Sequence, residues 1–157
     1  MTTTRPATVE DAGFLRELFD DVRGADLAAI EPVQRRTLLT IQYRGRETQY
    51  AAAYPAAVDH IIEVDGRPAG RILVEEGAEN VHVVDIAVSA AERGRGLGST
   101  VLRTWCDRAD ETGRTLTLTV APDNPARRLY ERLGLEAVAE DPTAVRMRRQ
   151  PREDSRA

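Results

Sequence analysis

Apolar positions recur along the chain at two different spacings, and the change from one to the other organises it. Phe14, Leu15, Leu18, Phe19 and Val22 follow one another at helical spacing. Ahead of them, Thr8-Val9-Glu10-Asp11 combines a capping hydroxyl with an acid three residues on, a helix start, and Gly24 ends the run. Glu31-Pro32 opens a second helix with proline in its first turn. That helix extends through Gln42–Tyr54 to a stop at Pro55, and Gly45 is a point where it could break. Thr2 to Val9, bounded by Pro6, reads as a short first edge strand.

From Val58 the spacing is that of strands. His60 to Val64 is followed by the hairpin turn Asp65-Gly66 and by a return strand from Arg67 to Glu75. Glu76–Asn80 turns the chain again into an apolar strand, Val81–Ser89, expected to be central. A glycine-rich stretch then opens a helix over about Leu97–Glu111, with Val101, Leu102, Trp105, Cys106 and Ala109 facing inward and Gly113 closing it. Thr115–Ala121 alternates as a further strand. Pro125–Leu133 reads as a short helix capped by Asn124 and ended by Gly134. Strands near 135–140 and 144–149 finish a single domain over residues 1–150, and residues 151–157 read as a flexible tail. Strands and helices in this order predict an α+β fold with one mixed central sheet flanked by helices.

Composition narrows the field. A chain of 157 residues holds one domain with a sizeable core. At 41% hydrophobic and 31% charged it is neither disordered nor a membrane composition. A net charge of -4 speaks against non-specific nucleic-acid or membrane-surface binding. The single Cys106 and the lack of a signal-like start lead us to expect a cytoplasmic protein. No apolar stretch approaches the roughly 20 residues of a spanning helix.

The chemistry concentrates in Arg93-Gly94-Arg95-Gly96-Leu97-Gly98-Ser99, placed between a strand and a helix. Unpaired amides at a helix start bind anions, and glycines let a diphosphate come close to them. Arg93 and Arg95 add positive charge. A P-loop would need Gly-Lys-Ser/Thr, and the turn has no lysine. A dinucleotide fingerprint would need glycine or alanine where Ser99 stands, and a ribose-binding acid. On the turn alone, a flexible loop with solvated arginines remains open.

Read with the rest of the second half, the turn gains a partner. Asp85-Ile86-Ala87-Val88, a five-residue spacer, Arg93 to Ser99, and then Asn124-Pro125-Ala126-Arg127-Arg128-Leu129-Tyr130-Glu131-Arg132-Leu133-Gly134-Leu135 resemble the two motifs of GCN5-related N-acetyltransferases, the GNAT family. The element order matches that family's fold along nearly the whole chain. Leu135 replaces the family's usual phenylalanine, and the common proline after the central strand is missing.

The resemblance implies an N-acetyltransferase that uses acetyl-CoA (coenzyme A) as co-substrate, with no metal. The central strand and Thr115–Ala121 would splay to admit the pantetheine arm. Ile86, Ala87 and Val88 would then bind the cofactor through backbone groups, with the Val88 N–H directed at the thioester oxygen. Arg93, Gly94, Arg95, Gly96, Leu97, Gly98 and Ser99 would hold the pyrophosphate, and Asn124, Arg127 and Tyr130 would complete the site. Tyr130 is the catalytic acid candidate and His82 the base candidate, ahead of Asp85 and Glu75. Strand alternation puts His82 and Asp85 on opposite faces unless a bulge intervenes. The acceptor would be an amine of a small molecule, peptide or protein. Tyr43, Tyr50 and Tyr54 share a helical face that could line its pocket or simply pack inward, and Asp26, Glu31 and Asp59 could attract its charge. A homodimer is compatible with the sequence. A non-catalytic acyl-CoA-binding sensor or assembly module on the same fold is the alternative.

Overall fold

The computed structural model describes residues 1–152. Seven strands form one sheet in the order β1-β2-β3-β4-β5-β7-β6. They are β1 (Thr2–Pro6), β2 (Val58–Val64), β3 (Arg67–Glu76), β4 (Asn80–Val88), β5 (Thr115–Val120), β6 (Glu136–Glu140) and β7 (Val145–Arg149). Every pairing is antiparallel except β4 with β5. The helices are α1 (Ala12–Gly24), α2 (Pro32–Ala53), α3 (Leu97–Glu111) and α4 (Arg127–Arg132). The mixed sheet and the element order are those expected. Among the described residues, no helix is long and apolar enough to cross a membrane.

Local chemistry sets most boundaries. Thr8 and Asp11 form a reciprocal capping box, Glu31 accepts from the amides of Val33 and Gln34 at the start of α2, and Asp65 and Gly66 both take positive φ in the β2–β3 turn. Two expectations change. Gly45 does not break α2, which runs unbroken for 22 residues. Gly24 keeps right-handed helical angles (φ -60°), and the chain passes into a 3-10 turn over Ala25–Leu27 instead of a glycine cap.

The sheet separates two layers. On one face Ile72, Val74, Val81 and Val83 pack against α3 through Leu97, Val101, Leu102, Trp105 and Cys106. Burial pushes the Cys106 thiol above its ordinary pKa, which leaves it a packing group. The other face carries Ile61, Arg71, Leu73 and Asp85 beneath α1 and α2. Near the chain's end the amide of Arg152 donates to Asp110 Oδ1 (2.8 Å), holding that point to α3; the rest of the expected tail lies outside the described residues.

Candidate active site

The ladder between β4 and β5 is short. It runs only from Asn80↔Thr115 to Val83↔Leu118, whereas β4 continues five residues further, to Val88. At the same point β4 carries a bulge: Leu73 pairs with Asp85 and Val74 with Val83, so Val84 is the extra residue. Beyond it, β4 faces β5 across an opening, as the splay required.

The pairing with β3 determines what β4 offers there. Ser89 N–H donates to Ala69 O (2.8 Å), so the facing residues Gly70 and Val88 are a pair that does not exchange hydrogen bonds. Val88, and Ile86 two residues earlier, therefore turn their N–H and C=O groups away from β3, into the opening. The Arg93 Nε donates to Val88 O (3.2 Å), consistent with that direction. Gly70 is a residue the sequence reading passed over. A Cβ there would collide with the Ala87 carbonyl oxygen and stand 3.2 Å from Val88 Cα.

After Val88 comes a 3-10 turn (Ala90–Glu92), and then the glycines. Gly94 and Gly96 adopt φ of +80° and +75°, Gly96 as the N-cap of α3. Left-handed angles explain glycine at both places, since a Cβ would meet nothing within 4 Å. None of the amides of residues 94–99 donates to an acceptor among the described residues. Among the described residues Arg95 is held by Glu92 alone (3.4 Å), and it is largely exposed. Gly98, Ser99, Leu97, Arg93, Val88 and Leu129 line an open cleft of ≈ 470 Å³, to which Arg132 adds a cation not expected at the cofactor site. Free amides, positive charge and space make a fit for a diphosphate.

Tyr130 is buried in the core next in sequence to the cleft-lining Leu129, and its hydroxyl has no hydrogen-bond partner among the described residues. Burial raises its pKa above the ordinary phenol value, and the Asp85 carboxylate adds in the same direction. Asn124 is placed differently from the expectation. Its Oδ1 accepts from the Ala126 amide (2.9 Å) and its carbonyl from the Arg127 amide (3.1 Å), so it caps the turn that leads into α4. The helix itself begins at Arg127, not Pro125, with Ala126 at the N-cap. The Arg127 Nη1 meets Glu140 Oε1 at 3.2 Å.

His82 and Asp85 share a face, because the bulge at Val84 reverses the alternation between them. Both point to the α1/α2 layer: His82 stacks on Tyr54 (centroids 5.1 Å, 27°), and Asp85 lies 3.5 Å from Arg46 Nη1. His82 is half-buried, its Nδ1 2.8 Å from Thr117 Oγ1, in the stretch where β4 and β5 are still paired. Burial lowers its pKa and Arg146 adds to this, against a smaller opposing effect of Glu75. The three tyrosines divide: Tyr43 of α2 packs edge-on against Phe19 (5.2 Å), Tyr50 of α2 lines a cavity over Asp85 and Ala87, and Tyr54, at the C-cap of α2, covers His82. Glu31 is consumed as a helix cap and Asp59 by Arg71, whereas Asp26 stands at the cavity mouth.

Residues 25–135 match the model of the acetyltransferase (GNAT) family. The chain belongs to the GNAT family. It is 30% identical over 112 residues to an uncharacterized N-acetyltransferase of Methanocaldococcus jannaschii, a match covering 69% of this chain and 71% of that one. It is also 43% identical over 70 residues to an L-2,4-diaminobutyric acid acetyltransferase of Nocardia farcinica, a match that takes in 42% of this chain but only 36% of that relative. Among GNAT folds of solved structure, the PaiA N-acetyltransferase of Thermoplasma acidophilum, in complex with coenzyme A, superposes with a TM-score of 0.72 at 15% identity, covering 96% of this chain and 99% of that one.

Proposed function

We propose that the protein transfers the acetyl group of acetyl-CoA to a primary amine of a small molecule, peptide or protein, by direct attack within a ternary complex. The observation that carries this reading is the end of the β4–β5 ladder at Val83, with β4 running on into a turn of unbonded amides. When bound, acetyl-CoA supplies the activated acetyl thioester. Gly94 to Ser99 hold its pyrophosphate with backbone amides, and Arg93 and Arg95 supply charge. Ile86 and Val88 offer the pantetheine arm the backbone groups they turn into the opening, whereas Ala87, expected to join them, is paired with Arg71 of β3 and holds that edge in place.

The Val88 N–H meets the thioester oxygen, where negative charge gathers as the amine attacks; such a donor contributes about 3–4 kcal/mol. Tyr130 gives its proton to the departing sulfur. A phenol of pKa about 10 stays protonated until a thiolate of about 8.5 needs the proton, and burial strengthens that order. His82 takes the proton of the incoming ammonium, through water. In the tautomer whose Nδ1 donates to Thr117 Oγ1, the Nε2 lone pair is free for this. The name of the diaminobutyric acid relative supports a small amino compound as first acceptor to try. The buried lone thiol suits a reducing, cytoplasmic setting.

The test is free-thiol release from acetyl-CoA across a panel of amines, alongside coenzyme A binding by calorimetry. Amine-dependent release supports the transferase. Tight coenzyme A binding with no release across the panel would instead make the protein a sensor or assembly module.

A further inference from the structure

A cavity of ≈ 180 Å³ lies on the α1/α2 face of the sheet, between Phe19 and Val22 of α1, Tyr50 of α2, and Asp85 and Ala87 of β4. It has the volume of roughly six water molecules, so it admits a compact ligand only. Five charges stand beneath it. Arg71, 97% buried as a side chain, grips Asp59 with two hydrogen bonds (2.7 and 3.1 Å). Arg46 bonds Glu47 (3.1 Å) and is fixed by the ring faces of Phe19 (4.7 Å), Tyr50 (5.5 Å) and Tyr43 (5.6 Å).

Glu47 and Asp59 each engage one guanidinium, the buried Arg46 Nε is left without an acceptor, and Asp85 is the fifth charge. Its Oδ2 is out of contact with solvent and accepts no hydrogen bond. The nearest cationic atoms are Arg46 Nη1 at 3.5 Å and Arg71 Nη1 at 3.8 Å, and the latter makes no hydrogen bond of its own. Three carboxylates therefore face two guanidiniums, leaving one negative charge in excess. Arg23 and Asp26 at the mouth cancel one another. Oδ2 faces the guanidiniums, but the Asp85 side chain lines the cavity and keeps 24% of its surface exposed, and an alkylammonium there brings three N–H donors and the missing positive charge. Asp85 also stands two residues before Ala87 on the same face, roughly 6.5 Å along the strand, beside the end of β4 that opens toward the cofactor side.

We propose that Asp85 holds the ammonium of the acceptor, and that this cavity selects compact amines of net positive charge. This deepens the transferase reading and rests on it for calling the ligand an acceptor. A carboxylate next to the amine is disfavoured, because Glu47 and Asp85 already surround the Arg71 Nη1 at 3.6 and 3.8 Å. Asp85 thus sets which amine enters and where its nitrogen rests, a role that His82, stacked under Tyr54 in the paired part of the sheet, is not placed to fill.

The experiment titrates the coenzyme A complex with n-butylammonium, 1-butanol and butyrate, three probes of similar shape and different charge, reading backbone amide shifts. n-Butylammonium is expected to move the amides of Tyr50, Asp85 and Ala87, with an affinity at least tenfold above 1-butanol and no response to butyrate. In Asp85→Asn the preference for the ammonium should shrink to less than threefold. That variant leaves two guanidiniums facing two carboxylates, so it orphans no cation. Equal binding of the alcohol, preferential binding of butyrate, shifts confined to other parts of the chain, or a preference retained in Asp85→Asn would overturn the proposal. Should Asp85→Asn fail to fold, the three-probe comparison on the unaltered protein decides alone. Coenzyme A binding and amine-dependent thiol release are measured on the same sample. Loss of either refutes the transferase and leaves the charge preference of the cavity readable; thiol release without charge preference refutes only the role of Asp85.

Discussion

At the scale of single residues, two titratable groups carry opposite consequences of burial. Desolvation keeps Tyr130 protonated further above neutrality than a free phenol, as the proposed role of acid toward a thiolate requires. Tyr130→Phe should therefore lower kcat by about 10²-fold while the KM for acetyl-CoA stays within twofold, measured by steady-state thiol release. Unchanged kcat would remove the acid role. For His82 burial acts the other way, lowering the pKa in the folded chain below the ordinary 6.5. As pH falls through 6.5 the unfolded chain takes up a proton before the folded one does, so this contribution to stability is present above that value and is lost below it. His82→Gln should then flatten the fall in melting temperature between pH 7 and 5, and a fall as steep as in the parent would contradict the shift. If His82 is also the base, the same variant flattens the acidic limb of the pH–rate profile; an unmoved limb leaves His82 a structural residue.

Elements decide where such residues meet, and here the sequence was legible unevenly. The glycine turn was readable because everything it needs is local: φ near +80° at Gly94, +75° at Gly96, and a helix starting at Leu97. The boundaries of α2 and α3 were readable for the same reason, through Glu31-Pro32 and Gly113. The face of Asp85 was not, because it depends on one extra residue, Val84, whose unpaired place exists only in the register with β3. Nor was the role of Arg71, which sits in the apolar run Gly70–Val74 and finds its partners on β2 and α2. Gly70 belongs to the same class, since its reason is the Ala87 carbonyl on the neighbouring strand. Gly70→Ala should push the end of β4 away, costing about 1–3 kcal/mol of stability and displacing the Val88 N–H. Denaturant midpoints and kcat should fall together. A variant as stable and active as its parent would show that β4 yields there freely.

At the scale of the molecule, the sheet keeps the α3/α4 layer and the α1/α2 layer apart, and the β4–β5 ladder stops at Val83, leaving a gap between the two strands. The integrity of that gap depends on β5 and β7 being anchored from elsewhere, since β5 has given up part of its bonding to β4. The anchor is a buried ion pair. Arg149 of β7 meets Asp110 of α3 through Nη1–Oδ1 (2.7 Å) and Nη2–Oδ2 (2.9 Å), and its Nε donates to Leu133 O (2.8 Å) just after α4. Both side chains are nearly fully buried, and Asp110 also accepts the Arg152 amide. One guanidinium therefore ties together β7, α3 and the end of α4, the layer proposed to hold the cofactor. Removing one partner of such a pair leaves a charge buried with too few acceptors, which costs about 3–5 kcal/mol, whereas replacing both with apolar groups costs far less. Asp110→Ala should thus lower the unfolding free energy by that amount and weaken coenzyme A binding through α4, while Asp110→Leu with Arg149→Met recovers most of the stability. If the double variant is no more stable than the single one, the pair contributes by geometry that apolar packing cannot replace, and the buried-charge explanation fails.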